Sequence, residues 1–443
     1  MLAKVEQFKI FPLLVGMLII LFSVDVYSIP SFARQTNLSC SVCHYLPTDL
    51  TPFGRLFKLN GYTMTGIATI QSTYKGRTDL KILNELPVTV NFQTSYTSIA
   101  KNIPGQQNNT VEFPQELGLY FSGEITPHMG AFLQISYDDQ SGGIELDMTD
   151  VRYANHATLG NKELLYGISF NNAPAMQDVW NTGPQWSFPF VGSGVAPTPA
   201  AGTMMESMMN VMGLGGYALY DNLIYGGLSF YRTVNQGGPI PPDALAYTTI
   251  RGVAPYWRLA LQHQWGNQYI EVGTYGIAPK VYPVGITGKT DNYTDLAFDA
   301  QYENTFNYGS LIAHINFIKE KQELNATYAA GKSENASDNL NSLRVDATYY
   351  LKAGYGFTVG YFNVNGTKDT KLYSSAPIDG SMVSSPNSSG VTLQFTFVPW
   401  QNTQFALQYV AYNKFNGSSS DYDGSGRNAS DNNTLYMNSW LMF

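Results

Sequence analysis

The chain has 443 residues with 33 acidic and 25 basic side chains, a formal net charge of −8, so it is too long for one small domain and too acidic to suit nucleic acid. Charged residues make up only 13% and aromatics 14%, whereas an average soluble domain has about 25% charged residues. A mean hydropathy of −0.15, with no series of apolar runs of about 20 residues, excludes a polytopic helical membrane protein.

The first element is the apolar run Ile10 to Val24, preceded by Lys4 and Lys9 and followed by Val26-Tyr27-Ser28. That pattern predicts a secretory signal peptide over residues 1–28, with a small residue at the cleavage position. The mature chain is then expected in the periplasm, the outer membrane or outside the cell.

The next element holds the only two cysteines, in Cys40-Ser41-Val42-Cys43-His44. This spacing is the attachment signature of a c-type haem, in which Cys40 and Cys43 add to the vinyl groups as thioethers and His44 is the proximal iron ligand. A disulfide at this spacing belongs to thioredoxin-like units, and no βαβ pattern follows. Structural zinc needs four ligands, and no second Cys or His pair lies nearby. Downstream, Phe53, Leu56 and Phe57 share one face of a short predicted helix that would pack on the porphyrin. Arg34, Arg55 and Lys58 are candidates to neutralise its propionates; the plainer reading is a minimal apolar core with solvated basic residues. Residues 29–83 are too few to shield a haem alone, so another part of the chain must cover it.

From Leu86 onward the chain alternates apolar and polar positions in segments of about ten residues, separated in turn by short turns and long polar loops, which is the signature of a transmembrane β-barrel. Leu117-Leu119-Phe121, Trp257-Leu259-Leu261, Leu311-Ala313-Ile315-Phe317 and Val391-Leu393-Phe395-Phe397 are predicted to face lipid. A soluble β-sandwich also alternates, but the terminal strand ending in Phe443 and the excess of aromatics favour the membrane. About seventeen segments are visible, and both ends in the periplasm require an even number. Merging 309–318 with 322–330 across a phase slip near Lys319 to Gln322 gives about sixteen. The expected fold is therefore all-β, an antiparallel barrel over 84–443 with a small, mostly helical cytochrome domain, 29–83, plugging its lumen.

A second axial ligand to the haem would be His or Met. His128 and His156 fall at turns, and His263 shares parity with Leu259 and Leu261. His314 has the opposite parity to Leu311, Ala313 and Ile315, which points it into the lumen, and Met64 is the nearest sulfur in sequence. Met204, Met205, Met208, Met209 and Met212 follow the aromatic segment Trp180 to Phe190 and suggest a helical turn at the mouth, core packing being the commoner fate of such a cluster. In Gly143 to Met148 the apolar residues are expected to face lipid, leaving Glu145 and Asp147 on the lumen face about 7 Å apart. With Asp139 just before, they form a candidate approach site for a hard dication such as Fe(II). Ordinary polar lining of a cation-selective pore is the plainer alternative.

The sequence resembles the fused monohaem cytochrome–porin iron oxidases of iron-oxidising bacteria. The resemblance rests on Phe32-Ala33-Arg34-Gln35-Thr36, the Cys40 to His44 motif, Phe53-Gly54-Arg55, Phe57-Lys58 and Gly61-Tyr62, and more loosely on Trp180-Asn181-Thr182-Gly183-Pro184-Gln185-Trp186. It implies an outer-membrane oxidoreductase that oxidises extracellular Fe(II) and passes one electron through a single covalent haem c to a periplasmic cytochrome or other carrier. It fixes neither a distal ligand nor an iron site. Two other classes stay open: a haem-gated porin, and an electron conduit with another donor or acceptor. No hydrolase motif is present.

Overall fold

The computed structural model describes residues 29–45, 48–64, 69–71, 81–138, 143–208, 211–233, 249–283 and 287–443. The expected signal peptide, Asp139 and Met209 lie outside the described residues. The barrel strands are β1 (Val88–Ile99), β2 (Thr110–Thr126), β3 (Met129–Asp138), β4 (Gly143–Leu159), β5 (Lys162–Asn171), β6 (Val211–Tyr220), β7 (Ile224–Thr233) and β8 (Ala254–Trp265). They continue as β9 (Gln268–Ile277), β10 (Asp291–Thr305), β11 (Gly309–Glu323), β12 (Ser337–Leu351), β13 (Tyr355–Gly366), β14 (Ser388–Trp400), β15 (Thr403–Lys414) and β16 (Thr434–Met442). All pair antiparallel with their chain neighbours, a two-residue piece, Lys280–Val281, extends the pairing beside β10, and β16 pairs with β1, closing a sixteen-strand barrel.

The closing seam is set by the last residue. Val90 N donates to Phe443 O at 2.7 Å and Phe443 N to Val90 O at 3.0 Å, so the terminal aromatic completes the ladder rather than trailing from it. Short turns follow local chemistry: Asp221 and Asn222, with φ of 53° and 50°, supply the two left-handed positions that a tight hairpin needs.

The walls alternate. In β1, Thr89, Asn91, Gln93, Ser95 and Thr97 are all buried, whereas Leu117, Leu119 and Phe121 of β2 and Leu259 and Leu261 of β8 are exposed. An exposed apolar band around a polar interior is unstable in water and matched to hydrocarbon. The chain is thus a multi-pass bacterial outer-membrane β-barrel, with its short turns on the periplasmic side.

Three local departures from simple alternation have identifiable causes. The segment from 309 runs as one strand, but it stops at Glu323, because Ala326 N and Thr327 N donate to Asp291 Oδ1 at 2.7 and 3.1 Å and turn Asn325–Ala329 into a helix. Met148 is buried, not lipid-facing, because the β3–β4 register shifts between Leu133 and Ile135 and reverses the parity of β4. Phe397 is 3% exposed, stacked on Tyr355 with centroids 4.9 Å apart beside a shift at the β14–β15 turn.

Residues 29–64 form α1 (Pro30–Thr36), a single 3-10 turn at Cys40–Val42 and α2 (Pro52–Leu59). Thr69–Gln71 and Lys81–Leu83 make a two-stranded ribbon outside the barrel sheet. The first segment leans on much of the inner wall: Ser31 N donates to Thr89 Oγ1 at 2.9 Å, Gln35 Nε2 to Ser122 O at 2.8 Å, Tyr62 OH to Asp150 Oδ2 at 2.7 Å and Arg55 Nη1 to Glu303 Oε1 at 2.5 Å.

Folding in lipid gives the first test. Leu259→Arg, on the outer face of β8, is expected to cost about 2–4 kcal/mol at mid-bilayer depth and less near an interface. The readout is the urea midpoint of barrel folding in vesicles, with heat-modifiable electrophoretic mobility reporting the folded form.

Candidate functional site

The site is built outward from one backbone contact. Thr51 caps α2, its Oγ1 accepting from Gly54 N at 3.1 Å, with Pro52 at the first helical position, an arrangement that fixes where the helix begins. Thr51 N also donates to Cys43 O at 2.9 Å. A Cβ on Gly54 would fall 2.2 Å from that same carbonyl oxygen, so only glycine lets the helix lie against the cysteine turn. At the other end Gly61, at φ 71°, and the Tyr62 N to Phe57 O bond of 3.0 Å close the helix in a Schellman turn.

This docking places Cys43 and His44 on the wall of a cavity of about 1160 Å³, measured to its open mouth. Its walls are mainly aromatic. Phe32 meets Phe57 edge-on at 5.1 Å and stacks on Tyr62 at 5.6 Å, while Trp186, Phe190 and Trp440 form a stacked series at 5.5 and 6.0 Å. Trp186 and Phe190 come from residues 172–208, the long connection between β5 and β6; Gln401 and Asn402 come from the periplasmic turn between β14 and β15. Cys40 is buried behind this turn, with its Sγ 3.8 Å from Gln401 Oε1. Burial, reinforced by Cys40, pushes the Cys43 thiol up to about 12 in the ligand-free protein, and a thiol held protonated is a poor nucleophile.

The three basic candidates separate. Lys58 lines the cavity, with its Nζ donating to Asp178 O at 2.7 Å and lying 5.7 Å from the Trp186 ring centre. Burial, with the Arg152 charge adding to it, lowers its pKa to about 7. Arg55 is instead committed to the wall: it pairs with Glu303, donates to Leu50 O at 2.5 Å and sits 4.1 Å over Tyr269. Arg34 is exposed and donates to Val88 O. Neither Arg34 nor Arg55 lines the cavity. The α2 face turned to it is Gly54, Phe57 and Lys58 rather than Phe53, Leu56 and Phe57, because the Gly54 approach sets the rotation of the helix.

The ligand candidates separate too. His314 is buried, with Nδ1 3.0 Å from Asp346 Oδ2, and is not part of the cavity wall. Its neighbour from the N-terminal segment is Asp49, whose carboxyl burial raises to about 6 against the opposing pull of His314. Met64 lies in a separate crevice between Phe53 and Phe57, reached by Cys43. Met204, Met205 and Met208 pack among Tyr231, Tyr256 and Tyr275, and Met212 is exposed on the outer wall. The sequence reading passed over Met176, which is 1% exposed and lines the cavity with His44. No periodicity marks it, since it lies in a single 3-10 turn, Pro174–Gln177, of the β5–β6 connection.

Of the carboxylates, Glu145 is exposed and Asp147 half-buried. Asp147 Oδ2 accepts from Gln134 Nε2 at 2.9 Å and from Ser136 Oγ at 3.2 Å. Gln134 is itself a cavity residue, so one hydrogen bond separates Asp147 from the wall. No group of three or more His, Cys, Asp or Glu residues arranged to hold a metal ion occurs among the described residues.

No protein-family model matches the sequence, and no curated protein matches it. Among solved structures, the chain is similar to an anion-selective porin from Comamonas acidovorans, at 12% identity and a TM-score of 0.47, over 80% of this chain and 98% of that one. It is similar to OmpF of Salmonella typhi, at 12% identity and a TM-score of 0.47, over 80% and 97% of the two chains. It is also similar to the outer-membrane channel DcaP of Acinetobacter baumannii, at 11% identity and a TM-score of 0.44, over 80% and 96%.

Two measurements test the assembly. Gly54→Ala forces helix and cysteine turn apart and is expected to weaken docking of residues 29–64 by about 1–3 kcal/mol, read as faster proteolysis of that segment while the barrel stays folded. Burial holds the Lys58 amine at about 7, well below the ordinary lysine range, so between those values the undocked state binds more protons and docking strengthens as pH rises. Lys58→Met should flatten that pH dependence of protease protection in the ligand-free protein.

Proposed function

We propose that the chain is an outer-membrane cytochrome–porin that oxidises Fe(II) outside the cell and delivers the electron to a periplasmic carrier. The coarser part of this reading, a porin-like barrel with a channel or porin role, follows from the closed sixteen-strand wall. The finer part is carried by one observation: Cys43 and His44 of the haem-attachment motif line an aromatic cavity walled jointly by residues 29–64, the β5–β6 connection and the periplasmic turn at Gln401.

The residues fit a haem c. Cys43 on the cavity wall and Cys40, buried just behind it, would take the two thioether links, His44 would offer an imidazole to the iron, the aromatic rings would suit a porphyrin face, and Lys58 would suit a propionate. When bound, that group supplies reversible one-electron chemistry. The chain's own part is to exclude water with Phe57, Tyr62, Trp186 and Trp440, to hold the cavity near the periplasmic turns where a carrier docks, and to draw cations inward past Asp147. Moving only an electron keeps ferric precipitate outside. The reaction balances as one Fe(II) losing one electron to the protein and one carrier gaining it.

The contacts of residues 29–64 with the inner wall support a second reading, a porin gated by its own N-terminal segment. Purified full-length protein should retain haem absorbance after denaturation and give a c-type pyridine haemochrome. Cys43→Ala should leave at most one thioether. In stopped-flow work on vesicle-reconstituted protein, Fe(II) added outside should reduce the haem rapidly, with a rate that falls as ionic strength rises. If dithionite but not Fe(II) reduces it, although the potential permits the reaction, the gated-porin reading takes its place.

A further inference from the structure

The second axial position of the iron is open in the reading above, and the following inference rests on that reading. Haem c groups that transfer electrons commonly take a second His or a Met. His314 does not reach the cavity wall, and its Nδ1 is engaged by Asp346. Of the polar wall residues, Lys58 Nζ donates to Asp178 O and Tyr62 OH donates to Asp150. Two methionines line the cavity along with His44, namely Met176 and Met442.

Their settings differ. Met442 is the last residue of β16, only partly buried, and packs at the edge of the apolar cluster around Phe57 and Tyr62. Met176 is fully inside that cluster. Its backbone is held at several points: Met176 N donates to Ala173 O at 3.0 Å, Met176 O accepts from Arg152, a fully buried guanidinium paired with Asp150, and the preceding Ala175 O accepts from the Trp186 indole at 3.1 Å. The same Arg152–Asp150 pair also holds Tyr62 and Ser169, so the turn that carries Met176 is tied into the buried network behind the cavity wall. Met176 is thus a fully buried methionine carried on an anchored turn of the wall that His44 also lines, whereas Met442 is half-buried at a strand end.

We infer that Met176 is the second axial ligand of the haem iron, completing a His44–Met176 pair. A thioether is a soft donor that raises the potential relative to a second imidazole, which suits a centre that must accept electrons from a mild reductant.

The test uses the full-length protein with its haem in detergent, read by optical and electron paramagnetic spectra and by redox titration. The oxidised wild type should be low-spin and show the long-wavelength sulfur-to-iron charge-transfer band. Met176→Leu, nearly equal in volume, should lose the band, turn high-spin and bind added imidazole. Met176→His should restore the low-spin state without the band and with a lower potential. Met442→Leu, on the same wall, should keep the low-spin state and the charge-transfer band. Retention of the band in Met176→Leu, its loss in Met442→Leu, or its absence from the wild type would overturn the assignment while leaving covalent haem intact. A wild type without covalent haem would overturn the function proposed above as well. Heat-modifiable mobility of each variant separates a ligand effect from misfolding.

Discussion

Hydrocarbon offers no partner for a backbone amide, so a spanning sheet has to end where it began. Here that seam is the β16–β1 ladder, finished by the reciprocal Val90–Phe443 bonds. Closure divides every strand into a face for lipid and a face for the lumen, and all the chemistry of the chain is confined to the second. The lumen then has its own difficulty, because guanidinium and carboxylate groups such as Arg152 with Asp150 and Arg258 with Asp299 are fully enclosed. They are tolerable because each charge meets an opposite one, and because the N-terminal segment and the β5–β6 connection supply polar partners across the barrel. Tyr62 on Asp150 and Thr182 on Asp299 are such partners.

Packing of the N-terminal segment depends on this framework. The Gly54–Cys43 approach brings the cysteine turn and α2 together as one unit, while Arg55 reaches Glu303 on β10 and Lys58 reaches Asp178 in the β5–β6 connection. Two cations one helical turn apart thus serve different ends: one secures the segment to the wall, the other faces the cavity.

What the sequence made legible follows from period and punctuation. Alternation, turn residues such as Asp221-Asn222 and the final aromatic define the barrel because each is a local signal repeated many times. The merged strand at β11 was recoverable from parity, but its stop at Glu323 was not, since the Asp291 cap lies more than thirty residues away in the chain. The inward turn of Met148 escaped because a register shift leaves no mark on composition. At the site, Cys43 and His44 were readable from spacing alone. The separation of Lys58 from Arg34 and Arg55 was not, because helix rotation is set by a missing Cβ at Gly54 rather than by the apolar pattern. Met176 was invisible for a related reason: one isolated 3-10 turn is too short to carry a period, and only the folded connection reveals what it stands beside.

That connection also has a second attachment. Beyond Trp186 it runs along the wall, with Thr97 donating to Ser193 at 2.7 Å and Gln408 to Val191 O at 3.2 Å, until Ala200 N reaches Asn416 Oδ1 at 3.1 Å in the long β15–β16 connection at the opposite end from the periplasmic turns. One uninterrupted stretch of backbone is thereby both part of the chamber and part of the outer vestibule. Because it is tied at both ends, a change in its length between Trp186 and Ala200 has to be taken up along the lumen wall or at one of the two attachments. The length of the stretch between Trp186 and Ala200 is therefore a constraint that chamber and vestibule share.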